Sequence, residues 1–417
     1  MSNVRRQTAD GRRETQGARR KAHGFKDRVF YALRFALYHY RLPFVVCLLL
    51  AVLFILLSSV SVCLAQADDA RPFTALRRET YRVASGLFRV ETPIPAWDSR
   101  DSLTVAPGAR LWRLRSFEAG GTAYALCVNV ETLKACVVQE EDVKSVGGVN
   151  VPEALASSET SQTSHTALPG GNGVEGISEV CRLGEGGQGS GGAEETPYGR
   201  ALMRHARAPM MDEGKKGLVL TVDLCPSHRA WDRDLFDALR EMRSGEKPLP
   251  VAVCISGAWV RHHSADFEQL LTWHREGALE VTFVNHSDTH PVGERGDFLN
   301  NAGVDFEAEV LNAEVTLLMH GAVPSPFFRF PGLVHSTARL EALARYGLIP
   351  VDADHWPGRD HLATDRVPEG ILLIHGNGNE RAGVAWFFEM IRRTGMKEKL
   401  RDGAGRVISL AECARAE

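Results

Sequence analysis

Short apolar runs alternate with amphipathic segments along the second half of the chain, from about Lys216 onward. Residues 218–223 and 251–256 have the composition of short buried strands, and residues 231–243 between them repeat apolar side chains at the spacing of one helical face. Repeated strand–helix units predict an α/β fold with a parallel sheet or barrel. In such folds the functional side chains lie in loops at the C-terminal ends of the strands.

Residues 71–143 follow a different pattern, in which apolar and polar side chains alternate with the period of two typical of strands. Turn-forming sequences, such as Ala-Pro-Gly at residues 106–108 and Ala-Gly-Gly-Thr at residues 119–122, separate the short runs. The pattern predicts a small all-β domain that resembles the SH3-like barrels attached to bacterial wall enzymes. Such a domain would bind the wall or a peptide, or would serve as a spacer.

Two cysteines flank one hairpin of this predicted domain. A turn centred on Glu131 and Thr132 places Cys127 directly opposite Cys136. Cross-strand cysteines can form a disulfide in an oxidising compartment. Two buried thiols are the alternative, and the sequence leaves both open.

The N-terminal region combines a basic segment with a long uncharged one. Residues 1–41 contain eleven Lys or Arg against three acidic residues, and the 24 residues 42–65 carry no charge. This length can cross a bilayer, and the basic residues before it predict a cytoplasmic N-terminus with the bulk of the chain outside. We therefore predict a single-pass anchor in a bacterial cytoplasmic membrane, with a signal peptide cleaved after Ala67 as the alternative.

Residues 144–215 are predicted to form a flexible linker. Gly, Ser, Thr and Glu dominate this segment, and such a composition buries too little apolar surface to offset its chain entropy. The whole chain has a formal net charge of −3, which argues against a general nucleic-acid binder.

The most informative motif is His-Ser-Asp-Thr-His at residues 286–290, which directly follows an apolar run. Imidazole is the commonest metal ligand in proteins, and two imidazoles four residues apart can share one ion. The motif therefore predicts a metal site held by His286 and His290, with two ordinary loop histidines as the alternative.

Four further segments occur in the order and approximate spacing of one enzyme family: Thr-Val-Asp-Leu-Cys at 221–225, Phe-Arg-Phe-Pro-Gly at 328–332, Asp-Ala-Asp-His-Trp at 352–356 and Leu-Leu-Ile-His at 372–375. With the histidine motif, the set resembles the polysaccharide deacetylases of carbohydrate esterase family four, also called the NodB homology domain. The resemblance covers about residues 216–414, and we predict a catalytic domain over residues 216–417. It implies a distorted, incomplete (β/α) barrel.

The resemblance also implies roles for individual residues. Asp223 would be the general base, Arg329 would hold it ionised, and His375 would be the general acid. His286 and His290 would bind a divalent metal, with zinc as the expected ion. In the segment 352–356, Asp354 would tune His375. The residues expected to line the substrate site are Trp356, Pro331 and Gly332.

Leu224 is the main departure from the family pattern. It stands where the family has its third metal ligand, a carboxylate, and leucine cannot ligate. Asp223 could move onto the metal, Cys225 could ligate as a thiolate, or a water could fill the position. The sequence does not decide among these alternatives, nor does it exclude that no metal binds.

These observations predict an exported, membrane-tethered hydrolase that removes acetyl groups from an N-acetylated glycan of the cell envelope. Because Leu224 replaces a ligand, a second hypothesis is a catalytically silent glycan-binding protein. A third hypothesis is an enzyme that hydrolyses an amide in a small molecule other than a sugar. The retention of Asp223, Arg329 and His375 together favours the enzyme.

Overall fold

In the antiparallel sheet at the start of the described chain, the central strands are more buried than the two edge strands. A computed structural model of the protein describes residues 73–100, 102–144, 195–211, 217–244 and 247–415. The predicted basic segment 1–41, the predicted span 42–65 and most of the predicted linker lie outside these residues. Within them, no helix combines the length and apolar composition needed to cross a membrane.

Seven strands form this sheet, which agrees with the prediction of an all-β region; its likeness to an SH3 barrel stays a prediction. In space the strands follow the order β1-β5-β6-β7-β3-β4, and β2 pairs with β5. A 3₁₀ turn at Arg78–Thr80 precedes them and helix α1 (Glu140–Lys144) follows. The strands are β1 (Arg82–Val83), β2 (Leu87–Arg89), β3 (Ile94–Trp97), β4 (Ser102–Val105), β5 (Arg110–Ala119), β6 (Thr122–Asn129) and β7 (Ala135–Gln139).

The predicted cross-strand position of the two cysteines is confirmed. Cys127 of β6 is the register partner of Cys136 of β7. Both side chains are buried free thiols. Burial raises the pKa of Cys127 well above its usual value and that of Cys136 to about 12, so both are protonated at neutral pH.

A parallel sheet with helices packed on it forms the rest of the described chain, as the alternating pattern predicts. Its six strands follow the order β14-β13-β12-β11-β8-β15, and a short hairpin, β9 with β10, lies beside it. The two edge strands do not pair, so the described strands form an incomplete barrel. The strands are β8 (Leu218–Leu224), β9 (Arg243–Ser244), β10 (Lys247–Pro248), β11 (Pro250–Ile255), β12 (Glu280–Asn285), β13 (Phe327–Phe328), β14 (Ile349–Pro350) and β15 (Gly370–His375).

Helices connect these strands, and most begin at a residue whose side chain accepts a backbone N–H. Ser256, Asp305 and Ser336 cap three of them in this way. The helices are α2 (Pro197–His205), α3 (Arg233–Glu241), α4 (Gly257–His262), α5 (Ser264–Arg275), α6 (Phe306–Met319), α7 (Thr337–Arg345), α8 (Arg381–Thr394), α9 (Met396–Arg401) and α10 (Leu410–Arg415).

Helix α2 lies inside the segment predicted as a linker, so the C-terminal part of that prediction differs from the structure. Thr196 caps the helix by accepting a hydrogen bond from the backbone N–H of Gly199, and Pro197 occupies its first turn. Tyr198 ties it to both sheets, because its backbone N–H donates to the carbonyl of Val130 and its hydroxyl to the carbonyl of Gly347. Apolar contacts with both sheets stabilise a helix that composition alone does not predict.

The antiparallel sheet and the parallel sheet share one hydrophobic core. Trp112 and Leu114 of β5 belong to the same buried cluster as Val310 of α6 and Leu343 of α7. Both sheets therefore belong to one compact unit, Arg71–Glu417, where the sequence suggested two domains joined by a flexible linker.

A buried ion pair crosses this interface. Arg115 of β5 donates two hydrogen bonds of 2.8 Å to the two carboxylate oxygens of Glu314 of α6, and both side chains are at most 1% exposed. The hydroxyl of Tyr81 donates to the same carboxylate at 3.0 Å. Removing either charge would leave the other buried without compensation.

The strand ends of the parallel sheet bring the predicted site residues to one edge. Asp223 of β8 pairs in register with His375 of β15, and β12 ends one residue before His286. Arg329 directly follows β13. Because the strands are parallel, all four side chains emerge at the same end of the sheet.

Candidate metal centre and active site

Asp223 and Arg329 form a buried pair at the centre of the site. Arg329 Nη1 donates to Asp223 Oδ1 and to Thr221 Oγ1, each at 2.7 Å, and Nη2 donates to the carbonyl of Asp352 at 2.8 Å. The arginine is fully buried, so it is not a surface residue beside a turn. The pairing expected from the sequence is therefore present in the structure.

The charge of Arg329 determines the protonation of Asp223. Burial alone would raise the pKa of this carboxyl group, but Arg329, with smaller contributions from His286 and His375, offsets the burial and holds the pKa below its usual value. Asp223 is thus a carboxylate at neutral pH. A carboxylate at this position can accept a proton.

His286 and His290 approach each other at the end of β12, with ring centroids 4.8 Å apart. His286 Nδ1 lies 2.8 Å from the carbonyl oxygen of Arg329, so this nitrogen carries the proton and Nε2 keeps a lone pair. Burial lowers the pKa of both rings, that of His290 to about 3 with a further contribution from His286. Both imidazoles are therefore neutral, as metal ligands must be.

The loop that carries the two histidines is held in a strained conformation. Ser287 and His290 have positive φ angles of 63° and 53°. Ser287 Oγ accepts a hydrogen bond from the backbone N–H of His290 at 3.1 Å, and Glu309 of α6 accepts hydrogen bonds from the backbone N–H and hydroxyl of Thr289. Such outer contacts fix the direction in which metal ligands point.

Cys225 joins the two histidines in a set of possible metal ligands. One ligand atom from each of Cys225, His286 and His290 lies within 4.8 Å of the other two, and Cys225 Sγ lies 3.4 Å from His286 Nε2. His290 Nε2 is buried and has no hydrogen-bond partner. Two neutral imidazoles and a thiol, with an unpartnered nitrogen among them, suit a divalent ion such as zinc.

Leu224 turns away from this set. Its side chain is fully buried in a hydrophobic cluster that also contains Val222 and Phe236. Because side chains alternate along β8, Asp223 faces the site while Leu224 faces the helices.

His375 is paired with Glu380, which the sequence did not single out. His375 Nδ1 lies 3.0 Å from Glu380 Oε2, and Trp356 Nε1 donates to both oxygens of the same carboxylate at 2.9 Å. Burial alone would lower the pKa of His375, but Glu380 and Asp223 offset it and raise the pKa above its usual value. The raised pKa favours the protonated ring, and Nε2 is the ring nitrogen that does not face Glu380.

The role expected of Asp354 is corrected by this geometry. Asp354 Oδ2 accepts a hydrogen bond of 2.7 Å from the backbone N–H of Ile371, and its own N–H donates to the Ile371 carbonyl. The residue therefore joins its loop to the edge of β15. Glu380 reaches His375 because the Gly-Asn-Gly-Asn loop at residues 376–379 folds back over the strand end, which sequence spacing does not reveal.

A cavity of about 170 Å³ opens between these groups. Trp356 and Gly332 line it, whereas Pro331 is buried in the first turn of the 3₁₀ segment Pro331–Leu333 and does not reach the cavity. The complete lining is Asp223, Cys225, His286, His290, Phe298, Gly332, Leu333, Trp356, Leu373 and His375.

Gly332 and Phe298 meet at the wall of this cavity. Gly332 has a φ of 65°, and a Cβ added to it would lie 2.4 Å from the ring of Phe298. The aromatic ring thus fills the space that a larger residue at position 332 would need.

Comparisons with known proteins place the chain beside carbohydrate esterases. No family model matches the sequence. The chain is similar to a family 4 carbohydrate esterase from Bacillus anthracis, at 18% identity over 55% of this chain and 95% of that one, with a TM-score of 0.38. The chitin deacetylase of Colletotrichum lindemuthianum shows 16% identity over 49% and 91%, with a TM-score of 0.35.

A third similar structure is a pseudoenzyme of the same family from Bacillus anthracis. It shows 15% identity over 50% of this chain and 69% of that one, with a TM-score of 0.37.

Proposed function

We propose that this protein is a metal-dependent deacetylase that hydrolyses N-acetyl groups of a glycan. The observation that supports the proposal is the meeting, at one cavity, of a carboxylate, a histidine whose pKa is raised, and two neutral imidazoles beside a thiol. One ring nitrogen of His375 lies within 4.8 Å of a carboxylate oxygen of Asp223. General base and general acid are thus close enough to act on one amide.

His286 and His290 would hold the divalent ion, for which we propose zinc. When bound, such an ion supplies a Lewis acid that polarises a carbonyl group and makes water more acidic. The lone pair of His286 Nε2 and the unpartnered Nε2 of His290 are the nitrogens available for it.

Asp223 and His375 would carry the two proton transfers of amide hydrolysis. Water attacks the acetyl carbon and Asp223 accepts its proton, as a carboxylate kept ionised by Arg329 can. The C–N bond then breaks, and His375 gives its proton to the departing amine. The products are acetate and a free amino sugar. Glu380 orients the ring of His375 and favours its protonated form before the transfer.

The glycan and its location are supported by the sequence. The five motifs resemble those of enzymes that act on acetylated polysaccharides, and we propose an envelope glycan as the substrate. The basic residues before the uncharged segment 42–65 support a chain tethered to the bacterial cytoplasmic membrane with its site outside.

Leu224 favours one alternative, a catalytically silent glycan-binding protein, because it removes the carboxylate ligand found in the related motif. Against it stands the intact pairing of Asp223 with Arg329 and of His375 with Glu380. A binding protein has no chemical need for a general base and a general acid at one cavity.

The test is acetate release from acetylated chitooligosaccharides by the full-length, zinc-loaded protein. Asp223→Asn keeps the shape of the side chain but cannot accept a proton, so turnover should fall by about 10²–10⁴-fold. Asp305→Asn is a control of equal charge change, because Asn also caps helices and Asp305 lies at the start of α6. Full turnover in Asp223→Asn would reject Asp223 as the general base, whereas glycan binding without acetate release by the parent would support the silent alternative.

A further inference from the structure

We infer that Cys225 is the third protein ligand of the metal, so that the site is a thiolate with two imidazoles. The inference rests on the metal site of the proposed function and specifies its ligands. It also explains how a chain with Leu224 in place of a carboxylate can keep a complete set of three.

The distance between Cys225 and His286 fits two ligands of one ion. Around a tetrahedral zinc with a Zn–S bond near 2.3 Å and a Zn–N bond near 2.05 Å, sulfur and nitrogen lie about 3.5 Å apart. Cys225 Sγ lies 3.4 Å from His286 Nε2. The proton of His286 is on the other nitrogen, which faces the carbonyl of Arg329, so the lone pair of Nε2 faces the thiol.

His290 supplies a second, independent observation. Its Nε2 is buried without a hydrogen-bond partner, and one of its ring nitrogens lies within 4.8 Å of ligand atoms of Cys225 and His286. A buried ring nitrogen without a partner is costly, and an ion shared with the thiol and the other imidazole would satisfy it.

Asp223 is the competing third ligand, and its contacts argue against it. One oxygen accepts a hydrogen bond from Arg329 at 2.7 Å, and the other lies 3.8 Å from His286 Nε2. Among the described residues, Asp223 does not belong to the group that contains both histidines, whereas Cys225 does. Asp223 is therefore left free to act as the base.

The backbone around Cys225 is fixed as a ligand position requires. The side-chain amide of Asn377 donates to the carbonyl of Cys225 at 3.1 Å, which ties this residue to the loop after β15. A thiolate also brings one negative charge, the same charge as the carboxylate that Leu224 lacks. As a soft ligand, it favours zinc over magnesium or manganese.

Cobalt absorption tests the inference without reference to turnover. Cobalt(II) bound to a thiolate shows a sulfur-to-metal charge-transfer band in the near ultraviolet, and cobalt bound only by nitrogen and oxygen does not. The full-length reduced protein loaded with cobalt should show this band. Cys225→Ala should lose it and bind the metal at least about tenfold more weakly, since even residues that only support ligands contribute 10–100-fold.

Two further variants make the result specific. Cys225→Asp should lose the band but keep more metal affinity than Cys225→Ala, because it restores a ligand without sulfur. Cys254→Ala should keep the band, since Cys254 is a buried thiol on the neighbouring strand that belongs to no ligand group of the described residues.

The possible failures can be told apart. A band that persists in Cys225→Ala, or a parent that binds cobalt without the band, would overturn the inference. Acetate release by a parent that binds cobalt without the band would leave the proposed function standing. A band without acetate release would uphold the thiolate site and reject the deacetylase. A parent that binds no cobalt would reject both.

Discussion

Gly332 is a residue of the site at which both the backbone conformation and the surrounding space disfavour a substitution. Its positive φ disfavours other residues, and its place beside Phe298 leaves no space for a Cβ. Gly332→Ala should lower the free energy of unfolding by about 1–3 kcal/mol through overpacking. Urea unfolding of the full-length protein measures this change.

The matched variant for this prediction is the double substitution Gly332→Ala with Phe298→Ala. Removing the ring opens the space that the new methyl group needs, so the double variant should lose less stability than the sum of the two single variants. Additive losses would show that the backbone conformation, and not the ring, excludes a side chain at position 332.

In the proposed reaction, Glu380, the partner of His375, would set the alkaline limit of activity. Activity needs His375 protonated and is lost as the pH rises through its pKa, which Glu380 helps to raise. Glu380→Gln removes that negative charge and can still accept a hydrogen bond from Trp356. The pKa of His375 should therefore fall, and the alkaline limb of the rate profile should move to lower pH.

The measurement is kcat/KM against pH for the parent, Glu380→Gln and a control. Glu389→Gln changes the same charge on the surface of α8, where its pair with Arg392 is exposed to solvent. An alkaline limb that moves equally in both variants, or in neither, would mean that Glu380 does not set the pKa of the acid.

Site residues at the ends of strands can be predicted from the sequence. Site residues that contact them from a folded loop cannot. Asp223, His286 and His375 each follow an apolar run, so their shared sheet edge follows from the fold. Glu380 contacts His375 only because the intervening loop turns back, and no local pattern encodes that turn. The family resemblance gives that role to Asp354, whereas the folded loop brings Glu380 to His375.

Helix α6 is the element that supports the loop of residues 286–290, which carries the two candidate metal ligands. Glu309, in its first turn, accepts two hydrogen bonds from Thr289, between the two histidines. Glu309→Ala should loosen the loop and weaken metal binding by about 10–100-fold. Competition with a zinc chelator gives the affinity.

Glu307→Ala is the control for this prediction, because Glu307 lies in the same helical turn with an exposed side chain. It should leave metal affinity near that of the parent. Equal weakening in both variants would point to the helix as a whole, and not to the contact with Thr289.

The strands of the parallel sheet could be predicted from apolar runs, and the helix at the end of the Gly-rich region could not. Strands β8, β12 and β15 coincide with clear apolar runs, and the two-residue strands β13 and β14 also consist of apolar residues. Helix α2 has nine residues at the end of a Gly-rich and Ser-rich region, and both sheets contribute to its packing. Packing between distant segments overrides composition there.

For the molecule as a whole, the ion pair between Arg115 and Glu314 joins the two sheets. Arg115→Met leaves Glu314 buried without its partner and should lower the free energy of unfolding by about 3–5 kcal/mol. Replacing both residues, with Arg115→Met and Glu314→Leu, removes both charges and should restore much of that loss. Urea unfolding of the three proteins gives the comparison.

Arg77→Met is the control, because Arg77 pairs with Glu79 on the surface with both side chains largely exposed. It should change the stability by less than about 1 kcal/mol. A loss in Arg115→Met no larger than in this control would mean that the two sheets do not depend on the pair.

The shared core also determines when the antiparallel sheet can complete its folding during synthesis on the ribosome. Arg115 and Glu314 are 199 residues apart in sequence. At a synthesis rate of about 5–20 residues per second, the partner of Arg115 emerges roughly 10–40 s after it. During that interval the antiparallel sheet has neither the carboxylate for its arginine nor the helices that cover Trp112 and Leu114. The apolar surface of the nascent N-terminal half should therefore remain exposed, and accessible to chaperones, until α6 and α7 have been synthesised.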